Sequence, residues 1–505
     1  MSTTPTGSVE REIKLGARPG FSMPELTDVA PGVTVVAETA LDLDATYVDT
    51  ADLQLVRNGV SLRRRTGDGA PRWTLKLPSA ESGAGLARRE FDVDDAGSVV
   101  PAGLASLVTG WVRAAPLVPV VVIHSHRERL RLLDPDGREL AEIDDDEVSV
   151  LDDGHVAARF REVEVEMAEH GSSDLLHLVS DALVAAGAGA PDPTSKVARA
   201  LGPRALVPPD LTPPEIDAGS STADLVTSAL RRSVDRIVAN DHVIRLDDDT
   251  DGVRRYRAGV RRLRSDLQTL GPVLEPDRVD GLRSRLKELA AALGVVRGPD
   301  ALVERLLRSV GALPAADRPI AILVVGRLDD ERRAGMDALL ALLADDAYVV
   351  LLDELVDAAS QPGLSDAARG PAAECVPALV RPHWRRLRQA VEHLAPEPDD
   401  ESLGGVRVLV KRARHATELA APVEGEAAAA LASGMADLQH VLGQLRDAVE
   451  AEAWLGGVLP ALGPDELRAA EGLIALQQAD AAAARSAWRD AWEACDRRSL
   501  TRWLG

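Results

Sequence analysis

From Val9 to Met167, charged side chains recur at every second position in one segment after another. VEREIKL, SLRRRT, RWTLKLP, ARREFDV, AEIDDDEVSV and FREVEVEM all alternate in this way, and turn sequences such as TGDGAP and DPDG separate them. Side chains at i, i+2 and i+4 of a strand share a face. Glu10, Glu12 and Lys14 therefore point one way, and Arg11, Ile13 and Leu15 the other. The same rule groups Arg63 with Arg65, Thr74 with Lys76, Arg88 with Glu90, Arg127 with Arg129, Glu142 with Asp144, and Glu162 with Glu164 and Glu166. Trp73, Leu75 and Leu77, or Val163, Val165 and Met167, lie opposite. Two arrangements satisfy the pattern. A half-buried antiparallel sheet turns its charges to water. A sheet closed into a barrel turns them inward around a wet lumen. Charges of both signs on many strands of one domain favour the barrel.

A lumen lined by acid and base has a chemical use. Triphosphate is a multiply charged anion, and arginine forks and lysine ammonium groups bind its oxygens. Carboxylates alone would repel it, but with Mg²⁺ or Mn²⁺ between them they hold a metal that bridges to phosphate.

The ordered series of motifs resembles the CYTH superfamily, the triphosphate tunnel metalloenzymes. It runs Glu10-x-Glu12-x-Lys14, Tyr47-Val48-Asp49-Thr50-Ala51-Asp52-Leu53, Gly59-x-x-Leu62-Arg63-x-Arg65, Leu75-Lys76-Leu77-Pro78 and Arg88-x-Glu90. Arg127, Glu142-x-Asp144, Glu162-x-Glu164-x-Glu166 and Ser195-Lys196 complete it. The resemblance covers about residues 8–203. It implies an eight-stranded closed barrel with a central tunnel. Glu10, Glu12, Glu162 and Glu164 become the metal ligands, with Glu166 and Asp144 beside them. Lys14, Arg63, Arg65, Lys76, Arg88 and Arg127 become phosphate ligands. Lys196 stands between two roles, at the tunnel mouth or on a plain helix surface. Glu10, Glu12, Lys14 and Lys76 are the residues on which catalysis is expected to depend.

After the strand-like region, residues 173–186 and Ser195–Leu201 read as helices. Gly202–Ile216 then carries Pro203, Pro208, Pro209, Pro213 and Pro214, which reads as a linker. The division expected is a barrel over 1–203, a linker over 204–219 and an all-α domain over 220–505. Within the last part, prolines and glycines are expected to break the helices at 271–276, 298–299, 311–319, 361–371 and 396–405. Arg257-x3-Arg261-Arg262-x-Arg264 recurs 150 residues later as Arg407-x3-Lys411-Arg412-x-Arg414. Leu293-Gly294-x-x-Arg297 recurs 149 residues later as Leu442-Gly443-x-x-Arg446. Two motifs repeated in order and spacing indicate a duplicated helical bundle, about 220–370 and 371–505. The fold class is α+β multidomain: a closed antiparallel barrel, then a duplicated all-α unit.

Over 253–270, Val253, Tyr256, Val260, Leu263, Leu267 and Leu270 form an apolar face, and Arg254, Arg257, Arg261 and Arg264 a basic stripe about 100° around. Arg407, Lys411 and Arg414 repeat the stripe beside Leu403, Val406, Val410 and Ala413. The stripes are either solvated surface or two halves of one anion-binding cleft. These segments resemble the CHAD domain over about 220–505, which implies binding of inorganic polyphosphate through the basic helices. Two departures are plain. Arg254 and Gly404 stand where the family has a histidine, and Gly404 offers no contact. Arg297-Gly298 replaces the Arg-Asp pair kept as Arg446-Asp447.

The net charge of −23 argues against a general binder of nucleic acid or anionic membrane. Tyr256 is the one aromatic within either stripe, so base stacking has little to work with and nucleic acid is disfavoured. No run approaches the roughly 18 apolar residues that cross a bilayer, and the two cysteines form no disulfide framework. The expectation is a cytoplasmic, Mg²⁺- or Mn²⁺-dependent hydrolase of inorganic triphosphate whose helical half binds polyphosphate and associates it with polyphosphate granules. The alternatives are a non-catalytic polyphosphate-binding protein and, among enzymes, a thiamine triphosphatase or an adenylate cyclase.

Overall fold

The computed structural model describes residues 7–79, 86–94, 97–247 and 250–505, so residues 1–6 of the polar tail lie outside the described residues. It divides into two compact units, Met1–Pro209 and Asp210–Gly505.

The first unit contains the strands β1 (Gly7–Ala17), β2 (Thr34–Ala37), β3 (Leu41–Asp49), β4 (Ser61–Thr66), β5 (Arg72–Pro78), β6 (Leu86–Asp94), β7 (Val118–Leu133), β8 (Glu139–Asp152) and β9 (His155–Met167). They are joined in the order β2-β7-β3-β4-β5-β6-β1-β9-β8, and β8 pairs back onto β7. Eight strands thus close an antiparallel barrel. The extra strand, β2, lies along Leu130–Leu133 of β7, past the point where β3 leaves it at Arg127.

Closure decides what each face of the alternating strands meets. On one side, Ile13, Leu15, Leu132, Ile143, Val163 and Val165 form a buried cluster with Leu175, Leu176, Val179 and Leu183 of the helix Ser173–Ala185. That helix begins where the Ser172 hydroxyl accepts the Leu175 N–H at 3.2 Å. Each such leucine or valine contributes about 1.5–3 kcal/mol on burial. The outer wall is therefore the apolar one, covered by helix, and the charged rows are left inside.

The segment Asp49–Leu53 is a turn built on one carboxylate. Asp49 accepts the N–H groups of Thr50 at 2.6 Å, Leu55 at 2.8 Å and Val56 at 2.9 Å. Leu53 is left-handed, with φ 63°, at the start of the short helix Gln54–Arg57. At the other end of the unit, Ser195 caps the helix Lys196–Leu201 by accepting the Ala198 N–H at 3.3 Å. Val197 and Ala198 of that helix pack against Ala45, Tyr47, Ile123 and Val148 of the barrel.

The second unit is helical. The apolar residues predicted for its two basic helices, from Val253 to Leu270 and from Leu403 to Ala413, are all buried. The helix Thr250–Thr269 packs on Thr222–Val238, on Pro276–Val310 and on Asp400–Glu424. The duplication shows in the backbone. Thr222 N–H donates to Gly370 O at 3.0 Å, and Ala372 N–H to Ser220 O at 2.9 Å. Residues 220 and 222 stand 150 positions before 370 and 372, so this exchange relates the two copies as the halves of a two-fold pair.

One expected break is absent. Residues 298–299 lie inside the helix Pro276–Val310, because Leu293, Val296, Pro299 and Leu306 share its buried side. Packing there outweighs the backbone hydrogen bond that Pro299 cannot donate.

Replacing Asp49 by Ala removes a buried acceptor from three N–H groups. It is expected to cost the barrel about 2–4 kcal/mol, read as a lower urea midpoint of its unfolding transition, with Asp49→Asn costing less.

Candidate active site and anion cleft

Register places the charges of the barrel. β1 and β9 set Glu12 opposite Glu166 and Lys14 opposite Glu164. β8 and β9 set Glu142 opposite Glu166, Asp144 opposite Glu164 and Asp146 opposite Glu162. β5 and β6 set Lys76 opposite Glu90, and β1 and β6 set Glu10 opposite Arg88. The result is a lumen of about 290 Å³ whose lining includes Glu10, Lys14, Arg63, Arg65, Lys76, Arg88, Arg127, Asp144, Glu164, Glu166 and Lys196. Glu12 and Glu162 are buried in the same wall.

Each lysine in this wall is held by carboxylates. Lys76 Nζ donates to Glu10 Oε1 at 2.5 Å and Oε2 at 2.6 Å and lies 3.1 Å from Glu90. Lys14 Nζ is 2.8 Å from Glu164 and 3.3 Å from Glu12. Lys196 is no surface residue: it is buried, pairs with Asp146, and lies 3.3 Å from Glu162 and 3.6 Å from Glu164. Arg127 binds Asp146 through Nε at 2.8 Å and Nη2 at 2.6 Å, and also pairs with Asp144.

Burial and pairing shift these groups in opposite directions. Burial pushes the Lys14 ammonium down, but Glu164, Glu12 and Glu162 outweigh it and raise its pKa above the ordinary lysine value. Burial pushes Glu164 up, but Lys14, Lys196 and Arg127 hold it well below the carboxylate range. Glu166 goes the other way: burial, then the Glu10 carboxylate, raise it to about 8. Burial and then Asp144 raise Glu142 to about 7.

Glu12 Oε1 and both oxygens of Glu162 are buried without a hydrogen bond. These oxygens meet cations only loosely, Lys14 at 3.3 Å, Lys196 at 3.3 Å and Arg199 at 3.5 Å, beside carboxyls pushed up toward neutral pH, and a hard divalent cation that takes oxygen ligands fits them. Among the described residues, no three His, Cys, Asp or Glu side chains are gathered closely enough to hold a metal as they stand.

Asp146 was missed in the sequence, although it continues the row Glu142-x-Asp144 by two more residues. It is fully buried and joins Arg127 to Lys196. Arg129 was grouped with Arg127 but given no role. It sits 2.7 Å from Glu142 and 2.8 Å from Asp144.

In the helical unit the stripes come together. A second cavity, of about 380 Å³, is lined by Arg261, Arg264, Lys411 and Arg412, and by Arg283 and Lys287 of the helix Pro276–Val310. Arg283 and Lys287 were not singled out from sequence, though their spacing of four puts them on one helix face. Burial, then Arg297, Arg446 and Arg407 among other charged neighbours, lower the pKa of Arg257. Burial, then Arg257, Arg414 and Arg407, hold Arg261 down at about 10. Arg257, Arg261, Arg264, Arg407 and Lys411 make no hydrogen bond or ion pair among the described residues. Arg414 has Glu418 at 3.5 Å. Arg254 is exposed and lines neither cavity.

The barrel and its lumen define a tunnel enzyme fold, a class whose members are metal-dependent triphosphatases or cyclases, with Mg²⁺ or Mn²⁺ typical. Residues 9–201 match the CYTH domain and residues 228–456 the CHAD domain. Two Mycobacterium tuberculosis proteins, both described as uncharacterized, are 30% identical over 440 residues, covering 81% of this chain and 82% of theirs. PptA from Streptomyces chartreusis is 24% identical, with coverage of 54% of this chain and 100% of its own and a TM-score of 0.45. The CHAD domain from the plant Ricinus communis is 21% identical, with coverage of 58% and 95% and a TM-score of 0.44. The chain belongs to the CYTH–CHAD family, in which a triphosphate tunnel domain precedes a CHAD domain. No helix among the described residues is long and apolar enough to cross a membrane.

The Glu166 shift has a sign that can be tested. Between its ordinary value of 4.5 and about 8, the folded barrel binds a proton that the unfolded chain releases, so stability falls as pH rises through that window. With chelator present, the thermal midpoint of the barrel is expected to drop from pH 5 to pH 8, and the drop to be smaller in Glu166→Gln.

Proposed function

We propose that the barrel hydrolyses inorganic triphosphate, or a closely related triphosphate, with Mg²⁺ or Mn²⁺, and that the helical unit binds polyphosphate. The observation that carries the first half is a barrel lumen in which eight cations, Lys14, Arg63, Arg65, Lys76, Arg88, Arg127, Arg129 and Lys196, face rows of buried carboxylates. Apart from Tyr47 and Val197 its lining is polar, which suits a bare phosphate chain better than a thiamine or adenine ring.

Within that reading the residues divide their work. The arginines and lysines bind the non-bridging oxygens and stabilise the charge that moves toward the leaving diphosphate as water attacks the terminal phosphorus. Positioning does most of the rest. Glu10, Glu12, Glu162 and Glu164, with Asp144 and Glu166, would hold the divalent metal, which supplies Lewis-acid polarisation of phosphoryl oxygen and a more acidic water. An incoming phosphate chain takes Lys76 from Glu10 and Lys14 from Glu164, which loosens those carboxylates for a cation while Arg127 and Lys196 stay 3.4 and 3.6 Å from Glu164. Buried charges that satisfy one another thus exchange partners rather than lose them.

Phosphate release from inorganic triphosphate is expected with Mg²⁺ or Mn²⁺ and not with chelator, and Glu10→Gln is expected to lower it about 100-fold or more. Release that survives in that variant would remove Glu10 from the metal set. No release from inorganic, thiamine or nucleoside triphosphate would leave a non-catalytic binding protein.

For the helical unit the supporting observation is the row of unpartnered cations. Arg261, Arg264 and Lys411 line the half-buried cleft, Arg257 and Arg407 stand near enough to repel them, and a polyanion offsets that repulsion. Exchanging Arg257 and Arg261 together for Glu is expected to weaken polyphosphate binding at least about tenfold, most visibly at low salt, and to spare triphosphate hydrolysis.

A further inference from the structure

The chain has 58 basic residues, of which only five are lysines: Lys14, Lys76, Lys196, Lys287 and Lys411. All five line the two anion cavities. Everywhere else the protein uses arginine, so lysine stands where something specific to an amine is wanted. Arginine forks bind oxyanions well but cannot lose their charge. A lysine amine can deprotonate, and it can be acylated.

The two cavities treat this group in opposite ways. In the lumen Lys14, Lys76 and Lys196 each face at least two carboxylates, which hold them as ammonium ions. In the cleft Lys411 has no hydrogen bond or ion pair among the described residues. Arg261, Arg264 and Arg412 line the cavity with it, along with Arg283 and Lys287. Burial, then Arg261, Arg407 and Arg264, bring its pKa down to about 8. At that value about a tenth of Lys411 is free amine at pH 7, where an ordinary lysine has almost none.

We propose that Lys411 is an acylation site, modified by acyl phosphates that dock their phosphate on the surrounding arginines, and that this modification turns down the cleft's hold on polyphosphate. The cavity, about 380 Å³, brings cations for a phosphate dianion and an unpaired amine to one place. The amine lone pair attacks the acyl carbon, the bond from that carbon to the phosphate oxygen breaks, and phosphate leaves with the electron pair. The proton released from nitrogen goes to the departing phosphate. The product is a neutral amide in the row where Lys411 stood opposite Arg261. No oxidant or reductant is needed. The consequence for affinity rests on the polyphosphate reading above, whereas the acylation itself does not.

The test treats the full-length protein with acetyl phosphate at pH 7.5 and follows all five lysines by peptide mass mapping. Lys411 is expected to react at least about tenfold faster than in the urea-unfolded chain, and inorganic phosphate is expected to slow it. Reaction at the unfolded-chain rate, or no protection by phosphate, would overturn the assignment. Polyphosphate affinity is then compared before and after treatment. A loss of about tenfold in the native protein, with no change on treatment of Lys411→Arg, supports the switch. An unchanged affinity of fully modified protein overturns it. If untreated protein binds no polyphosphate, the functional reading of the cleft fails, while the reaction rate at Lys411 still decides the acylation site.

Discussion

The barrel depends on a requirement that buried charges be paired. Rows of Glu, Asp, Lys and Arg face inward in a closed wall, and a charge left alone in that wall would cost several kcal/mol. Cross-strand register meets the requirement. Lys14 lies opposite Glu164, Lys76 opposite Glu90, and Arg127 opposite Asp146. The apolar outer wall follows from the same alternation, since Ile13, Leu15, Val163 and Val165 are the residues that β1 and β9 turn outward beneath the helix Ser173–Ala185. A one-residue slip in any strand would exchange the two faces. The ion pairs are therefore a device for register as much as for binding.

The helical unit handles charge differently. Its duplication brings each basic stripe against a copy of itself, so Arg261 and Lys411, which are equivalent positions 150 residues apart, are mutual neighbours. In the lumen Lys14, Lys76, Lys196 and Arg127 are already held by carboxylates, whereas Arg63 and Arg88 have no ion pair among the described residues. In the cleft Arg261, Arg264 and Lys411 repel one another and have no ion pair among the described residues. Under the function proposed above, lumen binding would exchange partners at the lysines, and cleft binding would relieve repulsion. The second is the more sensitive to ionic strength, since salt screens half-exposed like charges more than buried pairs.

Much of this was legible in the residues because both architectures are periodic. Period two along the strands put Glu10, Glu12 and Lys14 on one face, and a 150-residue offset exposed the helical repeat. What escaped had tertiary causes. Lys196 read equally well as a surface residue, because only the packing of Val197 and Ala198 onto Tyr47 and Ile123 turns its helix into the lumen. Pro299 read as a break, but burial along one side of a 35-residue helix carries the chain through it. Arg283 and Lys287 lie outside the duplicated motif, so the repeat gave no reason to look at them. Asp146 was within reach, being the next inward position after Asp144. Arg254 fits the periodicity of its stripe, yet it is exposed and outside the cavity lined by Arg261 and Arg264, which Arg257, Arg407 and Arg414 do not line either.

The distribution of lysine joins the two units chemically. A protein that writes nearly every cation as arginine keeps amines at five positions, three of them locked by carboxylates and one, Lys411, surrounded by guanidinium groups. A guanidinium would serve phosphate contact at all five. In the lumen the compact ammonium of Lys76 reaches both oxygens of Glu10 while Glu90 stands 3.1 Å away, a three-sided grip that a planar fork does not reproduce. In the cleft that compactness has no carboxylate to use. What remains particular to lysine at 411 is that its charge can be withdrawn by acylation, which leaves a neutral amide at a position where a guanidinium would stay charged.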